Sequence, residues 1–402
     1  MKSRILSLLI FLIILLPAYR CRKGNNNDLT SRQKQVNNII QTIRKKWAPD
    51  ARDHVFEISF SYNKNNSILL HGATDRPEAL TALRDSLEAL GVPVIDSVLV
   101  LPVDSFRNLV GVVRLSVANL RTAPRHSAEL ASQMLMGMPV RILEKRNGFF
   151  RIRTTEGYLG WTDSEALIMM YRPAFEKWAR APKVIMDENY GKIYADTLPD
   201  APQISDVVKN DVLILLGQHT YFLQVQLPDG RRGFVPSNDF VLLNEWEKLN
   251  KDFAALSDIT TEALHDYPGI PYLWGGTSVK ALDCSGFTKN LYQSFGYLLP
   301  RDASQQARAV RPVSLTERLD SLQPADLLFF GTHRPGGSPK ITHVALYLGA
   351  GRIIHATGEV KVESLFPEDS LYNDARRKTL LGAGRVYRIY ERRIYPYYTE
   401  QA

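Results

Sequence analysis

The segment Leu282-Asp-Cys-Ser-Gly-Phe places a cysteine at the head of an amphipathic stretch in which Phe287, Leu291 and Phe295 recur every four residues. That spacing predicts a helix running from near Cys284 to Gly296. A sulfur in the first turn of a helix meets unpaired N–H groups and partial positive charge, which favour thiolate over thiol. Small Ser285 and Gly286 leave space beside it. Downstream, Thr342-His-Val-Ala-Leu-Tyr-Leu and Arg352-Ile-Ile-His-Ala flank Gly349-Ala350-Gly351, the pattern of a hairpin with a three-residue loop. If those residues form the turn, Ile354 opposes Leu346, His355 opposes Ala345, and His343 and His355 share one face of the hairpin. One imidazole can then take the thiol proton while the second holds its ring in the right tautomer, which is the chemistry of a nucleophilic cysteine. One Cys and two His could instead bind zinc, but paired-ligand spacing and a fourth ligand are missing. Neither a metal nor a cofactor is expected.

The elements that must position these groups are read outward from them. Strands are expected at Asp326 to Phe330, His343 to Leu348, Ile353 to Ala356 and Arg385 to Ile389. A helix followed by antiparallel strands is an α+β arrangement, entered through a helical connection over Asn244 to Leu264. Residues 105–172 differ: short strands at Gly111 to Leu120, Val140 to Glu144, Phe149 to Thr154 and Gly157 to Thr162, frequent turns and no convincing helix. They predict a small barrel. Residues 183–245 repeat the theme with Lys192-Ile-Tyr, Val212 to Leu216, Phe222 to Gln226 and Gly233-Phe-Val-Pro. Glu156-Gly-Tyr-Leu-Gly-Trp and Asp229-Gly-Arg-Arg-Gly-Phe are parallel, each a turn before a strand ending in an aromatic, and mark an internal repeat. Nearer the N-terminus, alternating strands at His54 to Tyr62 and Ser67 to Gly72, an amphipathic helix from Pro77 to Leu90 and a strand from Val94 to Leu101 make a ββαβ module. It shows no catalytic constellation. Residues 22–45 are polar and Asn-rich at first, then weakly helical.

Composition bounds the partners. The chain has 402 residues, 45% of them hydrophobic and 23% charged, the values of a soluble, multidomain globular protein. A net charge of +8 suits work near anionic envelope polymers or serves as a diffuse solubility charge. The basic residues are scattered and not interleaved with aromatics, so no nucleic-acid partner is expected. Lys2 and Arg4 precede an apolar run from Ile5 to Leu16 and then Pro17-Ala18, which reads as a secretory signal over residues 1–21 and an exported, periplasmic or envelope location. Cys21 stands where a lipoprotein signal has its acylated cysteine, although Tyr19 and Arg20 are bulky for such a signal. A lipid anchor there, or the apolar run retained as a short membrane anchor, would attach the chain to a membrane. With Cys21 removed or lipidated, Cys284 is a lone thiol, since the sequence has two cysteines.

Tyr272-Leu-Trp-Gly-Gly, Asp283-Cys-Ser-Gly-Phe, Pro300-Arg-Asp, His343-Val-Ala-Leu-Tyr-Leu-Gly and His355-Ala, in that order, resemble the NlpC/p60 cysteine peptidases. The resemblance implies a papain-like fold pared to its core, acting on bonds next to γ-linked D-glutamate in murein stem peptides. It implies Cys284 as nucleophile, His343 as base, His355 as the polar third member and Tyr272 beside the thiolate, helping to stabilise the oxyanion. The two barrels resemble bacterial SH3-like modules, and the whole layout resembles γ-D-glutamyl dipeptidyl-peptidases, in which the first barrel caps the cleft and demands a free N-terminal L-Ala. Ser127-Ala-Glu-Leu-Ala-Ser-Gln matches the segment that supplies a carboxylate for that amine, making Glu129 the candidate. Tyr158 is expected in the same pocket, Asp302 as a second carboxylate, and Asp283 and Ser285 through backbone contacts. Ala303 follows Asp302 where some relatives carry serine, so a hydroxyl contact is lost.

The expected fold is thus multidomain: an α+β papain-like catalytic domain over 248–402, preceded by SH3-like barrels at 105–175 and 176–247 and an α+β module at 22–104. The expected activity is release of L-Ala-γ-D-Glu from murein stem peptides. An endopeptidase acting on intact wall and a non-catalytic wall-binding protein are the rival readings. Oligomeric state and a choice between lysine and diaminopimelate at the third stem position are not encoded in these motifs.

Overall fold

Val36, Ile40 and Ile43 recur at helical spacing in the polar N-terminal stretch, and all three are buried. They anchor a full helix, α1 (Asn26–Trp47), where sequence alone gave weak helicity. The computed structural model describes residues 26–249 and 256–386; the signal segment and Cys21 lie outside them. Strands β1 (Phe56–Tyr62) and β2 (Ile68–Thr74) pair antiparallel, helix α2 (Pro77–Glu88) crosses over, and β3 (Val94–Val100) returns parallel to β2. Ala79, Leu83 and Leu87 of α2 close over Phe56, Ile68 and Leu70 together with α1.

The next strands are β4 (Leu109–Val113), β5 (Val117–Arg121), β6 (Leu130–Leu135), β7 (Pro139–Arg146), β8 (Phe149–Arg153), β9 (Leu159–Asp163) and β10 (Leu167–Tyr171). They form one sheet in the order β10-β4-β7-β8-β9-β5-β6. After helix α3 (Arg172–Arg180) come β11 (Lys183–Met186), β12 (Tyr190–Tyr194), β13 (Gln203–Val208), β14 (Val212–Gln218), β15 (Phe222–Gln226), β16 (Arg232–Pro236) and β17 (Phe240–Leu242). Their order, β17-β11-β14-β15-β16-β12-β13, is the first order shifted by seven strands. The repeat extends to single residues. Trp161 pairs with Arg151 on one side and Arg121 on the other, and Phe234 pairs with Gln224 and Tyr194. In each sheet the end strands are not hydrogen-bonded neighbours, so the expected small barrels are seven-stranded ladders. Helix α3, which buries Phe175 and Trp178 at the junction, had no counterpart in the sequence reading.

Helices α4 (Leu243–Leu249) and α5 (Leu256–Asp266) lead to the last region. A short hairpin, β18 (Thr277–Ser278) and β19 (Ala281–Leu282), precedes α6 (Cys284–Ser294) and α7 (Ala303–Ala309). Then follow β20 (Arg311–Val313), β21 (Leu327–His333), β22 (Pro339–Gly349), β23 (Arg352–Thr357), β24 (Glu359–Ser364), α8 (Asp374–Thr379) and β25 (Leu380–Arg385), with sheet order β20-β25-β21-β22-β23-β24. The last described strand ends at Arg385, and the strand expected over Arg385 to Ile389 lies mostly outside the described residues. Phe287 and Leu291 of α6 pack on Val344, Leu346 and Ile354 of the sheet, and Leu135 and Val208 from the two ladders join the same buried cluster. The core is continuous across module boundaries.

Candidate active site

Helix α6 starts at Cys284 because Asp283, in extended backbone, caps it: Asp283 Oδ1 accepts from the Gly286 N–H at 2.7 Å. That carboxylate is itself fixed. Arg301, 1% exposed, donates to Asp283 at 3.1 and 2.5 Å and to Ser285 Oγ at 3.0 Å, while Gly275 N–H adds a bond at 3.0 Å. The side chains of Asp283 and Ser285 are therefore engaged within the fold, and so is their backbone: Asp283 N–H donates to the Gly276 carbonyl and the Asp283 carbonyl accepts from Phe287, while the Ser285 carbonyl accepts from Thr288 and Gln306, so the expected backbone contacts to a ligand have no free group behind them. Gly286 has to be small: a Cβ there would lie 1.9 Å from the Gly276 carbonyl oxygen.

The histidine strands have the register the hairpin reading required, with Leu346 opposite Ile354. The turn is tighter than expected, because a bulge pairs Gly349 with Arg352 and leaves Ala350 and Gly351, both at positive φ, to reverse the chain. His343 Nε2 lies 2.7 Å from His355 Nδ1. His355 is fully buried, and its Nε2 lies 3.0 Å from Glu363 Oε2. Glu363 is steadied by Asn373 Nδ2 at 2.9 Å and Lys361 Nζ at 3.2 Å.

Cys284 shares a buried cluster with Val344, the residue after His343, and the backbone N–H groups of Val344 and Ser285 pull its thiol down. This puts sulfur and imidazole strand on the same side of the domain. Burial, reinforced by the Asp283 carboxylate, raises the thiol to about 11 against the pull of those N–H groups and Arg301. Burial, and then His355, lowers His343 to about 2. Both shifts favour the neutral thiol and the neutral imidazole over the ion pair at rest. The thiolate expected from the helix terminus is thus outweighed at rest by desolvation of the buried sulfur.

Tyr272 stands beside this pair: burial and the neighbouring Cys284 push its hydroxyl up to about 12, so it is a hydrogen-bond donor at neutral pH. Trp274, two residues on, donates its indole N–H to Glu129 at 2.7 Å. Tyr158 donates to Asp302 Oδ2 at 3.2 Å. That oxygen also receives Arg52 of the N-terminal module, at 2.8 Å, and Arg52 is gripped in turn by Asp50 at 2.6 and 2.8 Å. Burial, with Asp302 beside it, raises the Tyr158 phenol. The structure therefore gathers Cys284, His343, His355, Tyr272, Asp283 and Ser285 at the head of α6. Tyr158 and Asp302 form a second group, and Glu129 lies exposed over the Tyr272–Gly275 loop.

The first ladder is fastened to this loop. Gln133 Oε1 accepts from Thr277 N–H at 3.0 Å and Ser278 Oγ at 3.1 Å, and Lys289 of α6 meets Glu156 of the ladder at 3.4 Å with both side chains 3% exposed. Arg301, Glu363, Arg52 and Gln133 were not singled out from sequence. Arg301 sat inside a quoted motif; Glu363 is diagonal to His355 across the β23–β24 ladder, where His355 pairs with Lys361. Arg52 and Gln133 act between modules; Arg52 left no local pattern, and Gln133 ended the quoted segment Ser127-Ala-Glu-Leu-Ala-Ser-Gln without a role of its own.

The model of the NlpC/P60 family matches residues 269–385, the stretch that carries Tyr272, Cys284, His343, His355 and Glu363. This chain belongs to the NlpC/P60 family. A second match, to the bacterial dipeptidyl-peptidase Sh3 domain, covers residues 120–167 of the first ladder. The NlpC/P60 chain is 29% identical over 254 residues to a gamma-D-glutamyl-L-lysine dipeptidyl-peptidase of Bacillus cereus, covering 60% of this chain and 71% of that one. It is 28% identical to dipeptidyl-peptidase 6 of Lysinibacillus sphaericus, covering 69% of this chain and 99% of that one. In fold it is similar to an NlpC/P60 family protein from Bacillus cereus, with a TM-score of 0.57, 24% identity, and coverage of 69% of this chain and 99% of that one.

Proposed function

We propose that this NlpC/P60 enzyme is a dipeptidyl-peptidase that cuts murein stem peptides after γ-D-Glu, provided their L-Ala amine is free, and releases L-Ala-γ-D-Glu. The observation that carries this reading is the docking of the first ladder on the loop and helix that bear Tyr272 and Cys284. In support, Glu129 accepts from Trp274, two residues after Tyr272, and Tyr158 donates to Asp302. The two relatives, both dipeptidyl-peptidases by name, point the same way. A substrate ammonium taken out of water needs a counter-charge and hydrogen-bond acceptors. Asp302 already shares its outer oxygen with Arg52. The counter-charge therefore falls chiefly on Glu129, and Tyr158 and Asp302 shape the pocket.

In the reaction, His343 accepts the Cys284 proton as sulfur attacks the γ-carbonyl carbon of D-Glu, and the oxyanion forms beside the Tyr272 hydroxyl. His343 returns the proton to the leaving amine of the diamino acid, leaving a thioester. Water, losing a proton to His343, attacks the thioester, and the proton goes back to sulfur as the dipeptide leaves. The leader over residues 1–21 supports action in the cell envelope, where such peptides arise.

The test uses Cys284→Ala and the wild type on free tripeptide stems and on intact sacculi. The proposal expects dipeptide release from free stems by the wild type alone and negligible release from sacculi. Efficient release from sacculi would favour an endopeptidase of intact wall. Unchanged hydrolysis by Cys284→Ala would leave a wall-binding protein with no catalytic cysteine.

A further inference from the structure

Glu363 is a buried-edge carboxylate with no part in the Cys–His–His assignment, yet it closes on the far side of His355. The groups facing it are His355 from β23, Lys361 on its own strand, and Asn373 and Arg376 at the start of α8, the last at 3.9 Å. Each offers an N–H, and a carboxylate surrounded by donors is ionised and accepts only. The His355 ring, with Nε2 3.0 Å from Oε2, holds it down to about 2.

We infer that Glu363 is a positioning residue that sets the protonation of the two histidines, making His343 a base toward the sulfur. The argument rests on the functional reading above and runs through the ring nitrogens. With Glu363 Oε2 as acceptor, His355 carries its hydrogen on Nε2. Its Nδ1 then holds a lone pair. His343 Nε2, 2.7 Å away, must supply the hydrogen between the rings. The remaining nitrogen, His343 Nδ1, is thereby left unprotonated and available for the thiol proton. The reverse arrangement, with hydrogen on His343 Nδ1, would disable the base without moving an atom of the backbone. Glu363 has a second consequence once His343 is charged. The imidazolium gives its Nε2–H to a His355 that stays neutral, and the carboxylate behind that ring offsets the new positive charge. Two charged imidazoles in direct contact are avoided.

The test has three readouts on the full chain. In 15N-histidine NMR of the wild type at neutral pH, His343 should show hydrogen on Nε2 and none on Nδ1; hydrogen on Nδ1 overturns the inference, with no variant required. Glu363→Leu should lower kcat on the order of 10- to 100-fold, as for loss of an orienting partner elsewhere, with KM little changed and the His343 signal shifted to mixed tautomers. Glu363→Gln, which keeps an acceptor but loses the charge, should retain the wild-type tautomer and a kcat between the two. Wild-type kcat and an unshifted His343 signal in folded Glu363→Leu would refute the inference while leaving the cysteine mechanism intact. Activity surviving in Cys284→Ala would instead sink the mechanism on which it rests.

Discussion

Cys284, 8% exposed, packs in the cluster that holds Val344, the residue after His343, and burial shifts both the thiol and the imidazole toward their neutral forms. The pH dependence follows from the sign of that shift. His343 works as a base only while unprotonated, and a pKa pushed down keeps it so at pH values where an ordinary imidazole, near 6.5, is charged. The acid limb of kcat/KM should therefore fall below pH 6.5, and a limb at or above 6.5 would contradict the buried-base account. On the alkaline side the substrate's own α-amino group, about 7.7–8.0, should set the limb if its charge is recognised. Glu129→Gln should then raise KM about 10- to 100-fold with kcat little changed, as expected for losing a charge-assisted hydrogen bond of ~1.5–3 kcal/mol, and Asp302→Asn should do less. Steady-state kinetics on a free tripeptide separates the two. Cys284, His343 and His355 were legible because residue type, helix period and hairpin spacing all converge on them. Glu363 was not, because a lone acid in an alternating strand looks like any solvent-facing charge until its diagonal partner is placed.

Element by element, the site depends on close backbone approaches as much as on side chains. Gly275 has φ +83°, and a Cβ there would lie 2.3 Å from the Leu130 carbonyl oxygen of β6. Gly91 has a comparable φ of +69° but nothing within 4 Å. Gly275→Ala should therefore disturb the ladder-to-loop contact beside Glu129 and raise KM several-fold. Gly91→Ala, carrying a similar backbone penalty of roughly 1–2 kcal/mol, should lower the thermal midpoint and leave KM alone. Equal kinetics for the two variants would argue against the ladder as part of the binding site. Sequence periodicity located α6, α2 and the β22–β23 register, and a short turn-and-aromatic parallel marked an internal repeat. It could not place α3 or the full extent of α1. Their apolar residues are few, and tertiary packing, not local propensity, makes them helical.

Across the whole molecule the modules interlock at the cleft. The loop 50–54 wedges between the first ladder and α7: Leu159 N–H donates to the Arg52 carbonyl, while Asp53 accepts from Gln305 at 2.7 Å and Asp50 from Arg308 at 3.0 Å. This was invisible from sequence, since the joined residues lie some 250 positions apart. Arg52 and Asp302 are partly solvent-screened, so Arg52→Ala should cost only about 1 kcal/mol of stability while uncovering the Asp302 carboxylate. Lys289→Met is a different case. It strands the Glu156 carboxylate in a buried junction and should cost ~3–5 kcal/mol. Chemical denaturation measures both, and a larger loss for Arg52→Ala would reverse the ranking of the two junctions.

The central claim is that the capped cleft reads a free L-Ala amine before the cysteine acts. It is tested most directly by mass-spectrometric comparison of L-Ala-γ-D-Glu-diaminopimelate with the same peptide acetylated on its N-terminus. The account predicts release of L-Ala-γ-D-Glu from the free peptide and at least 100-fold slower cleavage of the acetylated one, the loss of one charge-assisted hydrogen-bonded pair at about 3 kcal/mol. Equal rates on the two peptides would contradict it.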